Sequence, residues 1–198
     1  MLVIEVSSIF LIRYKIFEED IKELKKLNYE DITREFKSIY GWFSMEINKH
    51  CYLYYPSSDN EKELQEIRGL SEIISTHFSH LIEAYKCLKK SNYVAVKYIE
   101  NPITWLEICK QDDLLTISEL RFLMVGRMKV IEINKELLIG ARKSEIIDQT
   151  INWKQFEDEL INKTKEFVTE LKTINPILLE IPYFKDIVEF VRDFNKES

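Results

Sequence analysis

The fold is decided by residues 41–55, which read GWFSMEINKHCYLYY. Apolar side chains at positions 43, 45 and 47 alternate with their neighbours, and the alternation resumes at positions 51, 53 and 55. Between the two runs lies Asn48-Lys49, a pair that suits a tight turn. The stretch therefore predicts an antiparallel β-hairpin with one face on the core. Gly41 is expected to end a preceding helix over residues 30–40.

Long amphipathic helices are predicted after this hairpin and in the last quarter of the chain. The clearest spans residues 64–88, where apolar side chains recur three or four positions apart. A second begins at Asn152, with Gln155 placed as its capping-box partner. A third follows Pro182. The stripe of the first helix consists of Leu64, Ile67, Leu70, Ile74, Phe78, Leu81, Tyr85 and Leu88.

The rest of the chain is predicted to add strands to an antiparallel sheet. Alternating or β-branched runs indicate strands at 12–16, 93–99, 103–109 and 146–151, with a helix as the alternative at 103–109. A second hairpin is expected at 127–141, and a helical turn at 118–123. The 198 residues include only 4 Gly and 4 Pro, and no stretch has the composition of a linker. We therefore expect a single α+β domain over residues 1–198, with an antiparallel sheet built from hairpins and packed against long amphipathic helices.

A short string occurs twice in the sequence. Residues 45–49 read MEINK and residues 131–135 read IEINK. Each string is expected in a hairpin followed by a long helix, so segments 41–90 and 126–173 are candidates for a duplicated hairpin-plus-helix unit. The alternative is that Asn-Lys suits a turn and was used independently in two hairpins.

Composition disfavours several classes of partner and location. The net charge is −6, from 34 acidic and 28 basic side chains, with no basic cluster, so we expect no nucleic-acid partner. Arg13 and Lys15 interrupt the apolar N-terminal stretch well short of a membrane span, so no membrane association is expected. The cysteines Cys51, Cys87 and Cys109 are too few and too widely spaced for a disulfide framework. These features predict a cytoplasmic protein with reduced thiols.

No catalytic or cofactor-binding motif can be identified in the sequence. The glycines are isolated from one another, which argues against a phosphate-cradling loop, and no nucleophile elbow is present. Glu107 and Lys110 loosely match the acid and lysine of a nuclease strand, but side chains three apart lie on opposite faces of a strand. His77 and His80 lie one helical turn apart, with Glu83 a further turn on. We expect no catalytic residue, no metal site, no cofactor and no enzymatic activity.

Residues 52–66 have two features that suit a protein-binding surface. Tyr52 and Tyr54 are expected on the hairpin face opposite Leu53, and tyrosine is favoured at interfaces because it is rigid and amphipathic. The acidic run that follows is offset only by Lys62 and would suit a basic partner. The alternative is a tyrosine-faced strand covered by a helix, beside an ordinary acidic helix start. The predicted partner-binding residues are Tyr52, Tyr54, Asp59, Glu61, Glu63 and Glu66.

Three segments carry a resemblance to known proteins. They are Gly41-Trp42-Phe43 leading into a hairpin, LTISELRF at 115–122 before the second hairpin, and WKQFEDEL at 153–160 opening a late helix. In this order the segments resemble the small immunity proteins of bacterial polymorphic-toxin systems and related uncharacterised families found beside such toxins. Members of these families bind a cognate toxin and block it. The resemblance implies an immunity-type inhibitor with a protein partner, and it carries over no functional residue.

Two other functions are compatible with the same sequence. A counter-defence protein from a phage or mobile element would also act by binding. A metal-dependent hydrolase that uses His77, His80 and nearby acids is the less favoured alternative.

Overall fold

A computed structural model describes residues 8–35, 38–57, 60–101, 103–122 and 129–197. Antiparallel strands and helices are both present, which confirms the predicted α+β class. The strands are β1 (Phe10–Ile16), β2 (Tyr40–Ile47), β3 (His50–Tyr52), β4 (Glu72–Ile73), β5 (Tyr93–Lys97), β6 (Thr104–Gln111), β7 (Leu114–Arg121), β8 (Ile131–Glu132), β9 (Arg142–Lys143) and β10 (Gln149–Asn152). The α-helices are α1 (Glu18–Leu24), α2 (Tyr29–Glu35), α3 (Glu61–Glu66), α4 (Ile74–Leu88), α5 (Trp153–Ile174) and α6 (Lys185–Glu197). Short 3-10 helices are Arg68–Leu70, Lys135–Leu138, Pro176–Glu180 and Pro182–Phe184.

The described chain divides into two compact units, each assembled from three separate segments. Unit 1 is drawn from Met1–Leu11, Glu46–Tyr52 and Glu83–Asp158. Unit 2 is drawn from Ile12–Met45, Leu53–Ile82 and Glu159–Ser198. Neither unit is a continuous stretch of chain. The expectation of a single domain over residues 1–198 stays a prediction.

The strands form two sheets. In the first, β2 pairs with β1, β3 and β4. The second sheet belongs to unit 1 and has the order β10-β7-β6-β5-β8, with β9 also paired to β7. Its β6–β7 hairpin turns at Asp112, which has a positive φ of 51°. Leu106 and Ile108 are buried on one face, while Trp105 on the other packs with Tyr93 and Leu138.

Aromatic rings form the core of unit 2. Phe78 stacks on Phe167 with a centroid distance of 4.8 Å, and Tyr14 contacts both rings edge-on at 5.4 and 5.5 Å. Beyond the end of α5, the Asn175 side chain donates to the backbone carbonyls of Leu24 and Leu27, at 2.8 and 2.9 Å. This amide bonds to carbonyl groups at the last residue of α1 and just beyond it, where a helix leaves its final carbonyls without i+4 partners.

The single helix predicted over 64–88 is wrong. Residues 61–66 and 74–88 are helical, but Glu72–Ile73 between them pairs with Tyr40–Gly41 of β2. The amide of Ile74 then donates to the carbonyl of Ile39 at 2.9 Å. The stripe of apolar residues continues across this break, so periodicity alone does not reveal it. The pairing with a strand more than thirty residues away decides the local structure.

The helical turn predicted at 118–123 is also wrong within the described residues. Residues 114–121 form β7, which pairs with β6 along its whole length, with Ser118 opposite Glu107. Because the backbone N–H and C=O groups of this segment bond to the neighbouring strand, they are not available for the hydrogen bonds of a helical turn. Residue 123 lies outside the described residues.

The second predicted hairpin at 127–141 does not form in the part that is described, 129–141. Ile131–Glu132 pairs with β5, and Asn134 caps the 3-10 helix Lys135–Leu138 by accepting from the amide of Glu136 at 3.1 Å. The first hairpin is confirmed, with Asn48 in its turn at a φ of 57°. The two similar strings therefore adopt different local structures. Duplication of segments 41–90 and 126–173 gains no support from the fold.

The start of α5 is confirmed, but its cap differs from the prediction. The side chain of Asn152 accepts from the amide of Lys154 at 2.8 Å. Gln155 instead bonds to Ser8, donating to its carbonyl at 2.6 Å and accepting from its hydroxyl at 2.8 Å. Gln155 therefore joins two segments of unit 1 and is not a capping-box partner.

The prediction that Gly41 ends a helix is wrong. Gly41 lies inside β2. A Cβ atom at this position would overlap the backbone carbonyl oxygen of Lys15 and lie 2.6 Å from Cδ1 of Ile74. Glycine is required here because β1 and the start of α4 approach the backbone of β2 too closely for any side chain.

Replacing Gly41 is expected to destabilise the protein. Gly41→Ala should lower the free energy of unfolding by about 3 kcal/mol, because rigid backbone must move to admit the methyl group. The matched control is Gly69→Ala, since nothing lies within 4 Å of a Cβ at that position. Urea denaturation of both variants measures the difference. Equal stability of the two variants would contradict this account of Gly41.

Candidate binding surfaces

The two predicted anchor tyrosines have different environments. Tyr54 is 43% exposed, as expected for a binding residue, whereas Tyr52 is only 6% exposed. The exposed position predicted for Tyr52 is therefore wrong. Its ring contacts that of Tyr98 with a centroid distance of 6.3 Å. Leu53 has a positive φ of 66°, which ends the strand alternation, so Tyr52 and Tyr54 do not share a hairpin face.

The predicted acidic residues are only partly described. Glu63 and Glu66 are exposed on α3. Glu61 is the first residue of that helix, and its side chain lies outside the described part of the structure, as does the whole of Asp59. Glu63 and Glu66 are thus accessible to a partner, and their role in binding stays a prediction.

A small pocket in unit 2 lies next to these residues. Its volume is about 140 Å³, and its lining includes Phe17, Trp42, Leu64 and Arg68. The Trp42 ring contacts Phe17 at 5.3 Å and Tyr54 at 6.4 Å, and the Arg68 guanidinium lies 4.5 Å from the Phe17 centroid. Tyr54 is therefore the exposed end of a row of aromatic side chains.

The charges around this pocket are mixed. Lys15, Lys22 and Arg68 line it together with Glu18 and Glu19. The Arg68 guanidinium also lies 3.6 Å from the Glu19 carboxylate. Because basic side chains balance the acids here, the geometry gives little reason for a basic partner to prefer this pocket.

Unit 1 exposes a group of aliphatic side chains that sequence reasoning missed. Ile139 is 75% exposed, and four other large aliphatic residues of the same short segment are also exposed. Exposed aliphatic side chains this close together in the sequence make the segment a candidate interaction site. This set, called the 130–147 surface below, consists of Val130, Ile133, Leu137, Ile139 and Ile147. The signal in the sequence is a run of apolar residues with neither helical nor strand periodicity, and the turn at Asn134-Lys135 favours a hairpin over it.

A polar cluster lies on the sheet beside this segment. Ala95 of β5 pairs with Glu107 of β6 on one side and with Glu132 of β8 on the other. Directly paired residues point to the same face of a sheet, so the two carboxylates flank the small Ala95 side chain. Leu138, from the 3-10 helix, packs with Ala95. Both glutamates are 8% exposed.

The remaining members of this cluster surround Glu107. The Lys135 ammonium lies 3.9 Å from the Glu107 carboxylate, 3.8 Å from the Cys109 sulfur and 5.5 Å from the centroid of Tyr93. Burial, with Glu107 and Cys109 nearby, raises the pKa of the Tyr93 hydroxyl well above its usual range. The acid–tyrosine cluster, as we name it, consists of Tyr93, Glu107, Cys109, Glu132 and Lys135.

His77 and His80, which the metal-dependent alternative would use as ligands, lie among other protein side chains. His77 bonds through Nε2 to the Glu72 carboxylate at 2.8 Å, and its ring stacks on Phe43 at 4.6 Å. Burial, together with the neighbouring His77, lowers the pKa of His80 to about 4. No group of three or more His, Cys, Asp or Glu side chains among the described residues is arranged to hold a metal ion.

The side chains considered for catalysis lack the geometry or the protonation state that catalysis requires. Glu107 and Lys110 lie on opposite faces of β6, and the Lys110 ammonium sits 4.1 Å from the Trp153 ring centroid. Cys51, Cys87 and Cys109 are free thiols. Burial raises the pKa of both Cys87 and Cys109, which disfavours the thiolate that a nucleophile requires.

Within the described residues no helix is both long and apolar enough to cross a bilayer.

The low pKa of His80 predicts a loss of stability on acidification. The pKa of His80 in the folded protein is lowered to about 4, whereas the ordinary pKa of a histidine side chain is 6.5. The unfolded chain therefore binds the extra proton between these values, and the free energy of unfolding falls as pH drops through that window. The loss from this group is at most on the order of 3 kcal/mol.

Urea denaturation across the same pH window measures this effect. His80→Gln should lose less stability on acidification than the unchanged protein. The control is His50→Gln, which removes an exposed histidine and should leave the pH dependence unaltered. A His80→Gln profile parallel to that of the unchanged protein would refute the assignment.

Comparison with protein-family models, curated protein sequences and solved structures found no significant match to this chain. The resemblance to immunity proteins therefore remains a prediction from the sequence.

Proposed function

We propose that this protein binds a partner protein and neutralises it, as an immunity-type inhibitor of a toxin or effector. The observation that carries the proposal is the 130–147 surface, where five large aliphatic side chains are exposed within eighteen residues. Exposed apolar area of this kind is costly in water and is stabilised when a partner covers it. Tyr54 with Glu63 and Glu66 forms a second, smaller candidate contact.

The charge of the chain bears on the kind of partner. The net charge of −6 would steer a basic protein toward this one. Within the 130–147 segment itself, Glu132, Glu136 and Glu145 are matched by Lys135, Arg142 and Lys143. Apolar contact is therefore proposed to supply the affinity at this surface, and the overall charge to speed association.

A cytoplasmic location is part of the proposal. Three free thiols, at Cys51, Cys87 and Cys109, support it, because reduced cysteines are usual in that compartment. An inhibitor in the cytoplasm would meet its target where that target acts.

Capture of the partner and rescue of growth test the proposal together. The tagged chain should retain one protein at equal stoichiometry when it is purified from its native host. Expression of that protein alone should inhibit growth, and co-expression of this chain should restore it. A captured protein that is harmless, or no captured protein, would overturn the inhibitor proposal.

Substitutions at the 130–147 surface then locate the interface. Ile139→Ser should weaken the complex about tenfold or more, because an aliphatic side chain buried in an interface contributes about 1.5–3 kcal/mol. Leu114→Ser is the matched control, since Leu114 is 49% exposed in the same unit but outside this segment. Tyr54→Ser tests the second surface. If only Tyr54→Ser weakens binding, the interface lies at residues 54–66 and not at 130–147.

A further inference from the structure

The acid–tyrosine cluster has hydrogen-bonding capacity that its own residues do not use. Among the described residues, the buried hydroxyl of Tyr93 and the buried indole nitrogen of Trp105 make no hydrogen bond of good geometry, although the Glu107 carboxylate is close enough to the Tyr93 hydroxyl to raise its pKa. Buried polar groups in proteins are nearly always paired, so an unpaired group marks a place where something else can bind. Tyr93 is more than nine-tenths buried, and its hydroxyl lies in the field of Glu107 and Glu132.

The carboxylates of Glu107 and Glu132 differ in how well they are paired with hydrogen-bond donors. Glu132 accepts from the amides of Ile133 and Asn134, at 3.0 and 2.9 Å. The Glu107 carboxylate faces the Lys135 ammonium at 3.9 Å, which is too long for a strong hydrogen bond. A buried carboxylate whose neighbours are a distant cation and a poorly aligned hydroxyl recovers only part of its desolvation cost. A better-placed cation would therefore be stabilised beside Glu107.

Lys135 shows which chemical group the cluster accepts. Its side chain is 66% exposed, yet its ammonium lies near Glu107, the Cys109 sulfur and the face of the Tyr93 ring. Carboxylate, phenol and an aromatic face together are a favourable environment for an organic cation. Because a lysine stem is long and flexible, this internal cation can leave at little cost.

We infer that the acid–tyrosine cluster is a binding pocket for an alkylammonium or guanidinium group, and that Lys135 occupies it until such a group from a protein partner takes its place. The inference takes the partner from the proposed function, while the chemistry of the pocket stands without it. Lys135 lies between Ile133 and Leu137 of the 130–147 surface. A lysine or arginine of the partner would thus enter the pocket next to the aliphatic contact.

A guanidinium group suits this pocket particularly well. It is planar, always charged and carries five N–H donors in a fixed fork. The two carboxylates and the Tyr93 oxygen can all accept from it, and the Tyr93 ring can stack against it. The Tyr93 hydroxyl would keep its proton, and in the presence of the bound cation it could donate a hydrogen bond to one of the carboxylates.

The pocket can be tested with n-butylguanidinium as the probe and neutral n-butylurea as its uncharged counterpart. Binding is followed by the indole N–H signal of Trp105 in an NMR titration, assigned with Trp105→Phe. The variant Lys135→Met should bind n-butylguanidinium about tenfold more tightly than the unchanged protein, because the internal competitor is removed. The urea should produce no saturable shift.

Two controls separate the pocket from general charge effects. Lys86→Met removes an exposed lysine from α4 of the same unit, and so changes the net charge equally. Its affinity for the probe should equal that of the unchanged protein. Adding Glu107→Gln to Lys135→Met should lower the affinity about tenfold, and Glu132→Gln should act in the same direction if Glu107→Gln fails to fold.

The outcomes distinguish this inference from the proposed function. If Lys135→Met does not bind the cation more tightly than the unchanged protein, or if the urea binds equally well, the pocket is refuted even where a toxin is captured. If the cation binds as expected but no toxic partner is captured, the cation-binding pocket is supported and the proposed inhibitor function is refuted. If Lys86→Met strengthens binding as much as Lys135→Met, the effect is one of net charge and the inference fails.

Discussion

Close backbone approach at Gly41 is the constraint on which unit 2 depends. At this residue β2 is bordered by the carbonyl of Lys15 and by the paired strand residue Glu72, and Ile74 lies against it. The pairing brings the chain out of helix at Glu72–Ile73 and starts α4 at Ile74. From there His77 and Phe78 reach the Phe43 ring. A side chain at position 41 would separate these elements before the aromatic core could close.

The two units treat buried carboxylates differently. In unit 2, Glu72 bonds directly to His77 at 2.8 Å, so the pair is satisfied within the core. In unit 1, Glu107 faces a loosely placed Lys135 at 3.9 Å, beside a Tyr93 hydroxyl that makes no hydrogen bond of good geometry. Tight pairing rigidifies a core, whereas loose pairing leaves free energy for an incoming group. This contrast is why we place recognition in unit 1 and regard the histidines of unit 2 as structural.

The parts of the fold that were predictable from sequence are those set by local pattern. The alternation around Asn48 predicts the first hairpin, and the start of α5 follows Asn152, a residue suited to capping. The break in the 64–88 stripe was not predictable, because it comes from pairing of Glu72 with distant Gly41. The periodicity of apolar residues predicts which side chains are buried, but it does not predict which backbone groups bond to each other.

The candidate surfaces were predictable only in part, for a related reason. Tyr54 is exposed as expected, but Tyr52 is buried at the end of β3. The left-handed conformation of Leu53 then ends the alternation, and no residue type in the string predicts that conformation. The acid–tyrosine cluster arises from three strands that meet at Ala95. Glu107 and Glu132 are separated by 24 intervening residues, so only sheet register brings them together.

The discontinuous make-up of the units has a consequence for biosynthesis. Unit 2 needs both residues 12–45 and residues from 159 onward, and the Asn175 amide bonds to carbonyls about 150 positions earlier in the chain. A nascent chain on the ribosome therefore holds Phe43 and Phe78 without Phe167 for nearly half of its synthesis. Long-range closure of this kind slows folding and leaves apolar strands open to association. The newly made protein is thus a natural client for chaperones that shield exposed hydrophobic segments.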